Sequence, residues 1–129
     1  VNVAVRDLEN SQALFAKLRY KFNPQFTDDT AASMTIDDNI YFMLLTYPKF
    51  QSFIKDHNIA NPNLINEAIY ALSVDSRQAV DEFLIKALAA GGQIFREPED
   101  YGYMFARSFT DLDGHIWEIL WMDPNHIQK

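Results

Sequence analysis

Glu118 is the residue of this chain best placed to do chemistry, because its carboxylate stands inside a strand that otherwise alternates apolar side chains. It belongs to the run FTDLDGHIWEIL, Phe109 to Leu120, in which the turn Asp111-Leu112-Asp113-Gly114 opens into Ile116, Glu118 and Leu120 on one strand face. A half-buried acid is costly unless something pairs with it. Three readings follow. Glu118 is a carboxylate hydrogen-bonded to a neighbour such as Asn2, Ser73 or Thr46. It is the polar anchor for a bound ligand. Or it is a general base, made more basic by apolar surroundings. A fourth chemistry, metal ligation, needs further donors converging on the same point.

The other titratable residues supply no obvious companions. His115 lies three positions before Glu118 and points to the opposite strand face, which suits a turn or rim residue. His57 and His126 stand alone, with no H-x-x-x-H spacing, and default to the surface. Arg107 has the reach for an anionic ligand, but an ion pair with Asp111 or Asp113, or a solvated position, is the favoured expectation. The aromatic run Tyr101 to Phe105 serves either a planar ligand or the core.

Composition narrows the field. A net charge of −7 argues against nucleic acid, whose phosphates need a basic face. No apolar run is long enough to span a bilayer, and the start shows no signal peptide, so neither membrane nor secretion is expected. The absence of cysteine excludes disulfides and thiolate chemistry and fits a reducing, cytoplasmic setting.

The elements that must position Glu118 are legible as two similar halves. Val1 to Val5 alternates as a strand, and Asp7 caps a helix over Leu8 to Arg19. Strands are expected at 21–27, 30–36 and 40–46. The second half begins with a strand at 68–74, then a helix carrying Val80, Phe83, Leu84, Ala87 and Leu88, introduced by a capping-box-like Asp75-Ser76-Arg77-Gln78 and stopped by Gly91-Gly92. Strands at 93–96, 103–109 and 115–122 complete it. A shift of 69 positions carries Val3, Val5, Leu14 and Lys17 onto Leu72, Val74, Phe83 and Lys86. The expected fold is therefore α+β, a single domain over 1–129 of two tandem β-α-β-β-β modules, about 1–47 and 66–123. The connector 48–65 contains a short amphipathic helix with Phe50, Phe53 and Ile54.

With its opening VAVRDLENSQALFAKL and closing DLDGHIWEIL, this duplicated order resembles the glyoxalase/bleomycin-resistance/extradiol-dioxygenase group, the vicinal oxygen chelate superfamily. The resemblance implies curved mixed sheets around a cup, a homodimer, and four ligand positions in metal-using members. Those positions fall one residue before Val1 and on Leu44, Ile69 and Glu118. Only Glu118 has a donor, and leucine and isoleucine offer a cation nothing. Neither a metal nor another cofactor is expected.

Strand alternation from Glu118 assigns Phe42, Leu44 and Thr46, Ile69, Ala71 and Ser73, and Asn2 and Ala4 to the cup. Trp117, Ile119 and Trp121 fall on the helix side. The expected function is metal-independent binding of a small apolar or aromatic molecule by Phe42, Leu44, Ile69, Ala71, Ser73 and Glu118, with Glu118 as the candidate catalytic residue. The alternatives are a metal-dependent lyase or dioxygenase with a relocated ion site, and a non-catalytic module whose cup is filled.

Overall fold

The computed structural model describes residues 1–126. The chain divides into two compact units, Val1–Asn61 and from Pro62 on. The first runs β1 (Asn2–Val5), α1 (Leu8–Lys17), β2 (Lys21–Phe22), β3 (Ala31–Asp37), β4 (Ile40–Thr46) and α2 (Tyr47–Ile54). The second runs β5 (Ile69–Ser73), α3 (Arg77–Ala89), β6 (Gln93–Asp100), β7 (Met104–Thr110) and β8 (Ile116–Met122).

Each unit holds one four-stranded mixed sheet, ordered β1-β4-β3-β2 and β5-β8-β7-β6. The first strand of each unit lies parallel to its last, and the other neighbours are antiparallel. The two units thus share one strand order and one pattern of directions, as the 69-residue repeat requires.

Local chemistry explains the boundaries. The Asp7 carboxylate accepts the Asn10 N–H at 3.0 Å and starts α1, and Ser76 Oγ accepts the Ala79 N–H at 3.0 Å and starts α3. The box at Ser76 is only half made, because its third helical position is Ala79 and carries no side-chain acceptor. Helix α3 ends where Gly91 takes φ +111° and Gly92 N–H closes onto the Ala87 carbonyl. The strand expected over 21–27 stops after Phe22, because Asn23 accepts the Gln25 N–H and Pro24 opens a 3-10 turn over Pro24–Phe26. Helix α2 is capped by Thr46 and lies against β1 and β4.

Register decides which face each residue occupies. In the first sheet Val3 is paired with Leu44, Val5 with Thr46, Ala32 with Leu44 and Met34 with Phe42. Paired residues share a face. Val3, Val5, Ala32, Met34, Phe42 and Leu44 are all buried, as are Leu8, Leu14, Phe15 and Leu18 of α1 and its C-cap. This is the core of the first unit. In the second sheet Tyr70, Trp117, Phe109 and Ile94 form one row and Leu72, Ile119 and Arg107 the next. They face α3, whose Val80, Leu84 and Ala87 are buried. Arg107 donates to Asp81 of that helix at 2.9 Å, in place of the expected Asp111 or Asp113.

The placement of Phe42, Leu44 and Thr46 therefore corrects the expectation. They lie on the face of Val3 and Val5, and Leu44 is 0% exposed in the core. Alternation within β4 was read correctly, but its phase relative to β1 was not, and a slip of one residue exchanges every side chain between faces. The shift that carries Val3 to Leu72 carries Asn2 to Ala71. Since Asn2 pairs with Met43 and Ala71 with Glu118, the counterpart of Glu118 in the first unit is Met43.

This assignment is testable. Leu44→Ala should lower unfolding free energy by about 2–5 kcal/mol. Ile69→Ala, at a side chain 51% exposed, should cost less than about 1 kcal/mol. Urea denaturation of the two variants compares them directly; equal losses would overturn the assignment.

Candidate functional site

Glu118 lies on the face of the second sheet turned away from α3. The ladder sets four side chains in one row: Arg96 on β6, Ser108 on β7, Glu118 on β8 and Ala71 on β5. Ile69 and Ile116 occupy the neighbouring row on one side, and Ser73, Leu120 and Ala106 that on the other. Ile69, Ala71, Ser73 and Glu118 thus share the open face, as alternation predicts.

The partner of Glu118 is none of the three expected neighbours. Arg96 Nη2 donates to Glu118 Oε2 at 2.5 Å. The two residues stand on strands separated by β7, roughly 10 Å apart. Their side chains meet above the intervening Ser108, whose small side chain leaves room for the crossing. Arg96 Nε also lies 3.4 Å from Glu99 Oε1, an electrostatic contact that does not reach hydrogen-bond geometry. The two partners of the Glu118 pair are partly buried, with side chains 31% and 21% exposed, so the attraction is weakened by solvent without being lost.

Arg96 escaped the sequence reading because β6 has no clear alternation and its pairing is irregular. Register shifts fall between Ile94 and Arg96 and again between Arg96 and Glu99. Such irregularities re-aim a side chain. The detectable signal was the unassigned arginine itself, since the second half's last three strands contain only Arg96 and Arg107.

The donor set does not fit a metal at the family position. Across the row Glu118 has alanine, serine and arginine as neighbours, and its Oε2 already accepts from the Arg96 guanidinium. Leu44 is in the core, and Ile69 has only hydrocarbon to offer.

A second cluster lies in the turn before β8. Potential ligand atoms of Asp111, Asp113 and His115 come within 4.8 Å of one another. The Asp111 carboxylate is already engaged. Its Oδ1 accepts the N–H groups of Asp113, Gly114 and His115 at 2.9, 3.1 and 3.0 Å, and its Oδ2 accepts Trp117 Nε1–H at 2.9 Å. This is the work of a turn organiser, binding the loop to the buried indole. Gly114 completes the turn at φ +100°, where an added Cβ would meet Asn63 Oδ1 at 2.3 Å. Burial pushes the Asp111 carboxyl above its ordinary range, against the opposing influence of His115 and the indole.

The open face of the first sheet carries a cavity of about 610 Å³ lined by Asn23, Phe26, Ser33, Thr35, Asp38, Tyr41 and Met43. Ser33 pairs with Met43 as Ser108 pairs with Glu118, so this cavity sits over the counterpart of the Glu118 row. The sequence reading missed it because it followed Phe42 and Leu44 to the wrong face. His126 stacks on Tyr103 at 4.0 Å between ring centres, while His57 is exposed.

Three outcomes are expected. Asp111→Asn keeps one acceptor but turns an amide donor toward the indole N–H, and should cost about 1–3 kcal/mol in urea unfolding. Because its folded pKa is raised, Asp111 favours folding most below the unfolded carboxylate pKa, and that contribution is lost as pH rises through the folded value. Unfolding measured across that window should show wild type losing stability with rising pH relative to Asp111→Asn; the opposite slope contradicts the assignment. A double-mutant cycle of Arg96→Gln and Glu118→Gln should return a coupling on the order of 1 kcal/mol. Additive losses would mean that the pair is not formed.

No family model and no curated protein matches the chain. Solved structures do. A hypothetical protein, SA1046, from S. aureus is 28% identical, with 93% of this chain and 89% of that one covered at a TM-score of 0.78. A glyoxalase-related enzyme from Fulvimarina pelagi is 20% identical, covering 94% and 84% at 0.80. A glyoxalase/bleomycin resistance protein/dioxygenase family enzyme from Burkholderia phytofirmans PsJN is 16% identical, covering 95% of each chain at 0.77. Strand order, duplication and these likenesses agree: the chain has the fold of the glyoxalase/bleomycin-resistance/dioxygenase proteins.

Proposed function

We propose that this protein binds a small apolar or aromatic molecule on the open faces of its sheets, without a metal ion. The observation that carries this reading is the Arg96–Glu118 ion pair. It supplies the carboxylate with a fixed internal cation, so the acid retained at the family position has a partner other than a metal. The cavity beside Phe26, Tyr41 and Met43 supports the apolar half of the proposal. It has the size of a small-molecule site and combines apolar walls with the polar groups of Asn23, Ser33, Thr35 and Asp38. A general-base role for Glu118 is the weaker part, since the same carboxylate is held by a guanidinium. The homodimer implied by the resemblance belongs to the proposal as well, and sedimentation equilibrium tests it. No helix among the described residues is long and apolar enough to cross a membrane.

Among the described residues, the cluster a relocated metal centre could use is Asp111, Asp113 and His115. Asp111 already accepts four hydrogen bonds that hold the turn, which accounts for the cluster without a cation, so the turn reading is favoured.

Ligand-observed NMR with small substituted benzenes tests the proposal. Binding is expected in wild type, and Tyr41→Ala should weaken it by about three- to tenfold, the worth of one aromatic contact. Absence of binding by any ring compound, or indifference to Tyr41→Ala, would contradict the cavity's role.

A further inference from the structure

Among the described residues, the buried side-chain polar atoms lacking a hydrogen-bond partner are Arg96 Nε and Ser108 Oγ. They belong to cross-strand neighbours in the row that carries Glu118. A buried donor left unbonded is destabilising, and two together on an open sheet face call for a common acceptor. Ser108 is 1% exposed, so bulk water does not satisfy it. Arg96 sits on the edge strand β6 between two register shifts, where the backbone aims its side chain inward over Ser108.

We infer that Arg96 Nε–H and Ser108 Oγ–H form a binding site for the carbonyl oxygen of a neutral ligand, such as an amide or ketone attached to an apolar or aromatic body. This inference rests on the proposal that small molecules bind the open faces. Charge selects the class. Arg96 is already faced by two acids, Glu118 at 2.5 Å and Glu99 at 3.4 Å, so the cluster is net negative. A ligand carboxylate would be repelled, while a neutral carbonyl offers the acceptor without the charge. Both donors are buried beneath the Arg96–Glu118 pair, so a ligand reaches them only when that pair opens.

Three probes with one ring and different substituents test this: benzamide, benzoate and toluene. Each is titrated into wild type, Ser108→Ala and Arg96→Lys while the arginine Nε–Hε signals are followed in nitrogen-15 NMR, with circular dichroism reporting the fold. Benzamide should bind wild type at least tenfold more tightly than toluene or benzoate and shift the Arg96 Nε–Hε signal. Ser108→Ala and Arg96→Lys, which lacks Nε–H, should each remove about tenfold of that preference with the fold retained. If all three probes bind equally, or if Ser108→Ala leaves the amide preference intact, the carbonyl site is overturned while ring binding stands. Tighter binding of benzoate would overturn the choice of a neutral ligand. If no probe binds, the broader binding proposal fails with it. An experimental structure with only a water on both donors, undisplaced by benzamide, would likewise overturn the inference.

Discussion

The Arg96–Glu118 ion pair is the interaction on which the functional reading depends. A partly buried carboxylate needs a partner, and the identity of that partner decides which chemistry is open to it. Here the partner is a guanidinium brought across an intervening strand over a serine. The ion-pair geometry needs three independent features: a small residue at position 108, an arginine aimed inward by irregular pairing of β6, and a parallel β5 that offers only Ala71 beside the acid. A metal centre would need a different row.

Duplication sharpens the contrast between the units. The equivalent rows read Asn2, Met43 and Ser33 in the first unit, and Ala71, Glu118 and Ser108 in the second. The serine is common to both; the acid is not. The first unit presents a thioether, an aromatic pair and a cavity, where the second presents charge. The same strand order thus carries an apolar face in one unit and a polar face in the other.

Much of this was legible from the residues. The two halves, their helices, and the faces of β8 followed from periodicity and caps, because those signals are local. The open-face placement of Ile69, Ala71, Ser73 and Glu118 followed with them. The face of Arg107 was also within reach, since the tight turn at Asp111–Gly114 fixes the register of β7 against β8. What failed was register between strands that no short turn connects. Leu44 was assigned to the wrong face because β1 and β4 pair across most of a unit, and Arg96 was passed over because two irregularities break the count along β6. Asp111 was visible as a turn residue, but its bond to the Trp117 indole depends on three-dimensional closure.

The most direct measurement is the divalent metal content of the protein purified without chelators and dialysed exhaustively, read by inductively coupled plasma mass spectrometry. A guanidinium-paired Glu118 predicts far less than one ion per chain, with no change in Glu118→Gln. One zinc, nickel, iron or manganese per chain, lost in Glu118→Gln, would contradict the account.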